Sequence, residues 1–337
     1  STQLGNNHWA AVSEKYFIPW LIYVERIENG EIIFEYDLTE EITSRKTHVY
    51  FDSKSIGDNV AWVSAVDEFR KTYNVKHVTC ATFFNDLFEK EYLDIKFIEP
   101  NTGFDDFEIQ YRIPWLEEGQ FNPIDCKNTS LQNVCASILG VEGMKEVPTK
   151  ITVKEKETEL KTPYVAIGMQ STAQAKYWNN PGGWEKLTDY IKSKGYGVVF
   201  VDKHEHFGKE PHMNSNPSNA IKRNERTLDQ TIATIAGSEF FIGIGSGLSW
   251  ISWALNKEVI LISGFSQPFS EFQNKCTRII NTDVCHGCYN RVKLDPSNWT
   301  WCPDHEGTDR MFECTKNISV ESVCDAVDNV IQELTNE

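Results

Sequence analysis

Segments typical of β-strands and helices alternate along this chain in two separate stretches. In the first, a β-branched run at residues 47–51 precedes a loop. Apolar residues then follow at helical spacing over 59–73, and a second β-branched run covers 75–80. Strand, loop, helix and strand in this order are typical of a parallel sheet. Two further strand-like runs, at 17–24 and 31–36, come earlier, and a short helix is predicted over 85–91.

The second stretch repeats this rhythm after a different kind of sequence. Residues 140–162 are rich in Lys, Glu and Thr and predict a connection between domains. The second stretch predicts strands over 164–169, 198–201, 240–244 and 259–262, and helices over 183–193, 227–236, 248–255 and 320–334. A chain of 337 residues is long enough for two domains, which we place at 1–150 and 151–337. Two α/β domains in series predict a ligand cleft at the carboxyl ends of parallel strands.

Charge and cysteine content restrict the class of protein. Lys and Arg number 33 and Asp and Glu 49, so the formal charge of −16 disfavours sequence-independent nucleic-acid binding, which needs a basic face. The chain has no run of 18 apolar residues, and its start lacks the pattern of a secretory signal. Nine cysteines, an odd number, then favour a reducing cytoplasm and thiols free to bind metal.

A carboxylate stands at the first strand-to-helix turn, in the sequence Ile56-Gly57-Asp58. One interpretation is that Asp58 caps the helix by accepting a backbone N–H group. The other is that Asp58 faces the cleft and acts as a general base. Its place after the strand of the first clear βα unit favours the second.

Two loops of the second stretch have the chemistry of a phosphate site. The first, after the strand at 164–169, offers amide and hydroxyl side chains and one ammonium, from Gln170, Ser171, Thr172 and Lys176. It could also be a solvated surface loop. The second is a glycine-rich turn before a helix, where backbone N–H groups favour an anion, and it comprises Gly245, Ser246, Gly247, Leu248 and Ser249. Position 248 is Leu and position 250 is Trp, so the turn is not a dinucleotide-binding fingerprint.

Four cysteines have the spacing of a closed metal site. Two lie three residues apart and two follow at wider spacing, in the pattern Cys285-x2-Cys288-x13-Cys302-x11-Cys314. Zinc and iron both suit four thiolates, so the spacing does not choose between them. The alternative is four unrelated thiols. We place this metal finger at residues 276–315 of the second domain and expect its role to be structural.

Two further patterns bear on metals. His204, His206 and His212 form a cluster that could hold a second metal, although a solvated loop is the simpler interpretation. The chain has no apolar-flanked Asp-x-Asp motif. We therefore expect a mechanism without a catalytic metal, in which Lys and helix N-termini hold a leaving diphosphate.

Taken together, these motifs resemble those of the bacterial autotransporter heptosyltransferases. The resemblance is carried by the loop at 170–181, the turn at 246–250, the run at 262–265, the four cysteines and the segment at 312–315. More distantly, Asp58 and Lys176 lie where lipopolysaccharide heptosyltransferases have a catalytic Asp and a phosphate-binding Lys. Where those distant enzymes have an Asp-Thr-Gly-Leu-x-His turn, this chain has Gly245 in place of the Asp and Trp250 in place of the His.

The resemblance implies a GT-B fold, with two Rossmann-like domains that face a cleft. It implies an inverting, base-catalysed transfer of heptose from ADP-heptose to Ser hydroxyls of an autotransporter adhesin, iron in the cysteine finger, and assembly into oligomers. Asp58 would be the base. Lys176 and the glycine-rich turn would stabilise the diphosphate, and Ser171, Thr172 and Ser249 would complete the donor contacts.

Two other functions stay open at this stage. One is a GT-B transferase that uses another nucleotide sugar or a saccharide acceptor. The other is a metal-stabilised binding or assembly module without turnover.

Overall fold

The computed structural model describes residues 2–5, 7–102, 106–114, 119–160 and 163–336. Within its first 150 positions the chain forms a two-stranded hairpin and a four-stranded sheet with its helices. The strands are β1 (Leu21–Glu25), β2 (Ile32–Asp37), β3 (Lys46–Phe51), β4 (His77–Ala81), β5 (Ile95–Ile98) and β6 (Ile109–Ile113). The helices are α1 (Leu38–Glu41), α2 (Ile56–Thr72) and α3 (Leu131–Ile138).

The N-terminal sheet is parallel, as the sequence pattern predicts. Its strand order is β5-β4-β3-β6, with Thr47 of β3 opposite Val78 of β4 on one side and Ile109 of β6 on the other. Helix α2 connects β3 to β4. Its apolar stripe, which includes Val63 and Phe69, is fully buried, and this burial is the main force that holds the helix on the sheet.

The C-terminal unit contains a larger parallel sheet with strand order β11-β8-β7-β12-β13-β14. The strands after residue 163 are β7 (Tyr164–Gly168), β8 (Gly197–Phe200), β9 (His206–Lys209), β10 (His212–Ser215), β11 (Ile221–Lys222), β12 (Phe241–Ile244), β13 (Val259–Ile262) and β14 (Cys276–Ile279). The helices are α4 (Gly183–Ser193), α5 (Leu228–Ala236), α6 (Gly247–Ala254), α7 (Glu313–Lys316) and α8 (Val320–Asn336). Strands β7, β12 and β13 are buried along their whole length, as expected of a sheet that is covered on both faces.

The first part of the connection between the units, at residues 150–152, is hydrogen-bonded to the N-terminal unit. The backbone N–H of Thr152 donates to the Leu87 carbonyl at 2.8 Å, and that of Lys150 donates to the Tyr92 hydroxyl at 3.0 Å. By Glu157 the chain has reached the C-terminal unit, where this carboxylate pairs with Arg223 at 3.2 Å. The proposed boundary at 150/151 therefore lies just before the crossing. Positions 161 and 162 of the predicted connection lie outside the described residues.

Several predicted boundaries are wrong in detail. The helix predicted over 85–91 is a single 3-10 turn at Asn85–Leu87. Helix α2 begins at Ile56 rather than residue 59, so Ser55 is its capping residue and Asp58 lies inside the first turn. The interpretation of Asp58 as a helix cap is therefore wrong. The polar loop with the three histidines contains the hairpin β9–β10, whose strands are too short and polar to give a period-two pattern.

The N-terminal hairpin is the most exposed apolar part of the described structure. Both strands carry large apolar side chains that are about half exposed, among them Ile22, Tyr23, Ile33 and Phe34. Large contiguous apolar surfaces on a protein usually mark a site of contact with another molecule. None of the described helices is both long enough and apolar enough to cross a membrane.

Candidate functional site

Two helix N-termini, one from each unit, meet at the centre of the molecule. Helix α2 and helix α6 approach so closely that a Cβ atom on Gly247 would lie 2.4 Å from Ile56 Cγ2 and 3.3 Å from the Gly57 nitrogen. A Cβ on Gly57 would lie 3.2 Å from Trp250 Cδ1. Glycine is required at both positions because the two backbones are in contact. This contact places the glycine-rich turn of the C-terminal unit beside the Asp58 turn of the N-terminal unit.

Asp58 is half-buried in the first turn of α2, beside Ser53. The Ser53 hydroxyl donates a short hydrogen bond to Asp58 Oδ2. Burial raises the pKa of Asp58, while the Ser53 hydrogen bond and the positive charge of Lys176 oppose that increase. A carboxylate that is partly shielded from water and held by one hydroxyl can accept a proton from an incoming alcohol.

Lys176 ends a 3-10 turn after β7, and its ammonium lies near two carboxylates. Its Nζ lies 5.1 Å from the centre of the Phe265 ring. Burial lowers the pKa of Lys176, and the negative charges of Glu271 and Asp58 oppose the decrease. Asp58 and Lys176, from different units, are therefore close enough to interact electrostatically. The pair combines a base with a cation that could neutralise a leaving phosphate.

The loop after β7 is held by a buried carboxylate. Asp202, 1% exposed, accepts hydrogen bonds from the backbone N–H groups of Met169 at 3.1 Å and Gln170 at 2.9 Å. The Gln170 side chain donates to the His204 carbonyl, and the Ser171 hydroxyl donates to the Gly245 carbonyl at 3.5 Å. Thr172 is exposed. The sequence placed Gln170, Ser171 and Thr172 in the donor site, and the structure places Ser171 against the glycine-rich turn.

The glycine-rich turn, residues 245–249, caps α6. The Ser249 hydroxyl is fully buried and donates to the Ser246 carbonyl at 2.7 Å, so it serves the helix end itself. The Ser246 hydroxyl, by contrast, is buried without a hydrogen-bond partner in the described part of the chain. Leu248 packs against Gly168 at the end of β7. Free N–H groups at a helix start, together with an unused hydroxyl, suit an anionic ligand.

The four predicted metal ligands lie near one another, but among the described residues the group of three or more ligand atoms within 4.8 Å includes only one of them, Cys285. Burial raises the pKa of the Cys314 thiol to about 12, and the nearby thiols of Cys285, Cys288 and Cys302 raise it as well. None of the four forms a disulfide. Sequence reasoning missed two neighbours of Cys285: the ligand atoms of Cys285, His305 and Glu313 lie within 4.8 Å of one another. The carboxylate of Glu313 is held by Arg310 at 2.6 Å.

The segment that carries the four cysteines, residues 285–314, is the cysteine region, and it contacts the loop that carries Phe265. The Gly287 N–H donates to the Gly264 carbonyl at 2.9 Å, and the Tyr289 N–H donates to the Phe265 carbonyl at 3.1 Å. A Cβ on Gly264 would lie 2.9 Å from Cys314 Cβ. The cysteine region therefore supports Phe265, whose ring lies under the Lys176 ammonium.

The three clustered histidines, two in hairpin β9–β10 and one just before it, face different partners. His204 Nδ1 lies 2.9 Å from Glu225 Oε1, and His206 Nδ1 lies 2.7 Å from the Ser215 hydroxyl. His212 packs edge-on against Phe312. This arrangement supports the simpler interpretation of a surface segment.

Comparison with known proteins decides the family. Residues 139–290 match the model of glycosyltransferase family 9 (heptosyltransferase). The chain is 32% identical over 335 residues to the autotransporter heptosyltransferase Aah of Escherichia coli, covering 97% of this chain and 84% of Aah. The chain belongs to the autotransporter heptosyltransferases. A second member, BAHTCr of Citrobacter rodentium, is 35% identical over 321 residues, covering 93% of this chain and 77% of that protein.

A solved structure of a family member confirms the fold. The iron-containing dodecameric glycosyltransferase TibC from enterotoxigenic E. coli H10407 superposes with a TM-score of 0.88 at 30% identity, covering 97% of this chain and 86% of TibC. A structure of TibC in complex with ADP-D-beta-D-heptose gives the same values. The predicted GT-B-like architecture with two parallel sheets is thereby confirmed, as is the predicted class of enzyme, a glycosyltransferase.

Two further residues near the candidate site were not predicted from the sequence. Glu271 lies on the loop after β13 and interacts with Lys176, and Ser53 lies between β3 and α2 and binds Asp58. Neither stands in a recognisable motif. The one available signal was position, since both follow the carboxyl ends of parallel strands, where ligands bind.

Proposed function

We propose that this chain transfers heptose from ADP-heptose to Ser hydroxyls of an autotransporter adhesin, with inversion at the anomeric carbon. The observation that carries this proposal is that Asp58 and Lys176, from different units, lie close enough to interact electrostatically across the contact between the units. Aah and TibC are heptosyltransferases, and TibC binds ADP-D-beta-D-heptose. Family membership at 30–35% identity supports the same donor here.

Asp58 would act as the base. Its carboxylate takes the proton of the Ser hydroxyl while the Ser oxygen attacks the anomeric carbon from the face opposite ADP. The bond between that carbon and the β-phosphate oxygen breaks, and ADP leaves with the electron pair. One displacement from the opposite face inverts the configuration. The pKa of Asp58, raised by burial, makes it a stronger base than an exposed carboxylate.

The departing diphosphate would be bound by the C-terminal unit. Lys176 supplies the positive charge, while Gly245, Gly247 and Leu248 offer backbone N–H groups at the start of α6. The Ser246 hydroxyl has no other partner in the described chain and could donate to a phosphate oxygen. Preorganised donors directed at developing charge usually make one of the largest contributions to catalysis.

Gln170, Ser171, Thr172 and Ser249 complete the proposed donor site in different ways. Ser171 lies against the turn through its contact with Gly245. Gln170 and Ser249 use their side chains to hold backbone, so they would shape the site rather than contact the donor through those groups. Thr172 is exposed and free to reach the sugar.

The cysteine region would hold one structural iron, with zinc as the alternative. The chemistry of the donor set fits: the four thiols form no disulfide, and negative charge on the other three raises the pKa of Cys314, an effect that a bound cation would relieve. TibC is an iron-containing enzyme. Cys285, Cys288, Cys302 and Cys314 are the ligands that we propose. The metal would stabilise a loop that has little regular structure of its own.

We also infer that the chain assembles with copies of itself. TibC is dodecameric, and the hairpin β1–β2 of this chain exposes a large apolar surface of the kind that self-association buries. Light scattering should show one large species for the native chain. Replacing Ile33 and Phe34 by Asp should give smaller species with an unchanged CD spectrum, and an unchanged mass would contradict this use of the hairpin.

The decisive experiment is a transfer assay with a choice of donors. The chain is incubated with a candidate adhesin and either ADP-heptose, a UDP-sugar or a GDP-sugar, and the adhesin is analysed by intact-mass spectrometry and peptide mapping. We expect heptose-sized additions on Ser, with ADP-heptose alone. Additions from another donor would favour the broader GT-B alternative, and transfer to an added saccharide but not to the adhesin would favour a saccharide acceptor.

A further inference from the structure

Glu271 is a second carboxylate beside the proposed diphosphate site. It lies on the loop between β13 and β14, and its side chain is 13% exposed. Oε2 is anchored, because it accepts from Arg278 at 2.7 Å and from the Ser266 hydroxyl at 3.3 Å. Oε1 points at the glycine-rich turn, where it occupies space that a side chain would need. A Cβ atom on Gly245 would lie only 2.4 Å from it.

The surroundings of Oε1 restrict what it can bind. A carboxylate oxygen accepts hydrogen bonds and repels phosphate, so it does not suit the diphosphate itself. The negative charges of Glu271 and Asp58 both raise the pKa of Lys176, so its ammonium group lies close to both carboxylates. Consider a nucleotide sugar with its phosphate against Lys176 and its anomeric carbon near Asp58. The rest of its sugar ring would then lie toward this part of the turn.

We propose that Glu271 recognises a hydroxyl group of the donor sugar, with Gly245 lacking a side chain so that the carboxylate can reach it. This assignment rests on the proposed function, since it needs a nucleotide sugar in the cleft. The chemistry is that of a fixed acceptor. Arg278 orients one oxygen and leaves the other available, and a sugar that offers no hydroxyl there leaves an acceptor of this mostly buried side chain unpaired.

Calorimetry with ADP and with ADP-heptose separates sugar recognition from phosphate binding. Glu271→Gln keeps the shape of the side chain and a partner for Arg278. We expect it to weaken ADP-heptose binding about tenfold or more and to change ADP binding by less than about twofold, by analogy with other charged hydrogen bonds. Glu258→Gln is the matched control. Its carboxylate pairs with Lys275 at 3.3 Å away from the turn, and we expect both affinities to stay unchanged.

A second variant guards against misfolding of the first. Glu271→Asp keeps the charge but shortens the side chain by one methylene group, so the carboxylate no longer reaches the turn, and the same selective loss of ADP-heptose affinity is expected. Equal loss of ADP and ADP-heptose in both variants, or unchanged ADP-heptose affinity in a folded variant, would overturn the assignment. Failure of the native chain to bind ADP-heptose or to transfer heptose would instead overturn the proposed function.

Discussion

Gly57 and Gly247 face each other across the boundary between the two units, each at the start of a helix. A Cβ atom on Gly247 would lie 3.3 Å from the Gly57 nitrogen and 2.4 Å from Ile56 Cγ2. This contact brings the base side and the phosphate side of the proposed site together. The relative position of the two sides of the proposed site therefore depends on the absence of two side chains.

Gly247→Ala should separate the helices and weaken the enzyme. The added methyl group has no space, and overpacking of this kind costs about 1–3 kcal/mol. We expect a lower melting temperature and a kcat/KM reduced about tenfold or more, since small displacements between reacting groups are costly. Ile56→Ala removes the clashing atom, so the double variant should recover much of both. If Gly247→Ala has native kcat/KM, the tight contact is not needed for catalysis.

Asp58→Asn should abolish transfer and preserve donor binding. The amide keeps the size of the side chain and cannot take the proton of the acceptor, so we expect kcat to fall at least about a hundredfold, the usual contribution of a positioned base. ADP-heptose affinity, measured by calorimetry, should change little. Asp52→Asn is a useful comparison, because that carboxylate lies on the loop just before α2 and pairs with Arg112 instead. Full activity in the Asp58 variant would show that another group is the base.

Ser53→Ala should move the acid side of the pH–rate profile. Burial raises the pKa of Asp58 and the Ser53 hydrogen bond lowers it, so removing the hydroxyl raises that pKa further. The base must be ionised to act, and activity should therefore begin to fall at a higher pH in the variant than in the native enzyme. The profile of kcat/KM between pH 4.5 and 8.5 measures this shift. A shift toward lower pH would contradict the role of Ser53.

Asp202→Asn should change how stability depends on pH. Burial raises the pKa of Asp202 from 3.8 to about 6, so the folded state binds more protons than the unfolded state between these values. The stability that this group contributes is complete below its unfolded pKa and is lost as pH rises through the folded pKa. Relative to the variant, the native protein should lose about 2 kcal/mol between pH 3.8 and pH 6. Urea unfolding of both proteins across this range tests the sign.

Replacing Cys285 and Cys288 by Ser should remove bound metal and loosen the loop. Elemental analysis should find iron in the native protein and none in the double variant, with a lower melting temperature. Because the cysteine region supports Phe265 under Lys176, donor affinity should also weaken. Cys126→Ser, a thiol outside the region, should leave metal content unchanged. Native metal content in the double variant would contradict the proposed ligand set.

The two parallel sheets could be predicted from sequence because their strands are short, buried and β-branched. The predicted strand at Val259–Ile262 has the bounds that the structure shows. Its four consecutive apolar residues are typical of a strand that is buried on both faces of a sheet. Helix α2 was predicted three residues late. Its first turn contains Gly57 and Asp58, residues with low helix propensity, and it packs against α6 of the other unit, a contact that the local sequence does not show.

Residues of the candidate site could be predicted only where they stand together in one local sequence motif. Lys176 and the glycine-rich turn stand out locally, while the role of Glu271 depends on a loop that follows a different strand. Strands β5, β6 and β14 were missed for a similar reason: each mixes polar and apolar residues, and the sheet neighbour decides its conformation. Ser53 gave no local signal, because its partner is five residues away in a turn whose shape is set by packing.

The buried aromatic residues around α6 have a consequence for engineering. Trp250 and Trp253 of α6, with Phe272, belong to the same apolar core as Val60 and Phe51 of the N-terminal unit. An attempt to broaden acceptor range by grafting the amino-terminal half of one relative onto the remainder of another would cut through this core. Such chimaeras should be designed with the α6 surface transplanted as well, or with the graft confined to loops that this core does not include.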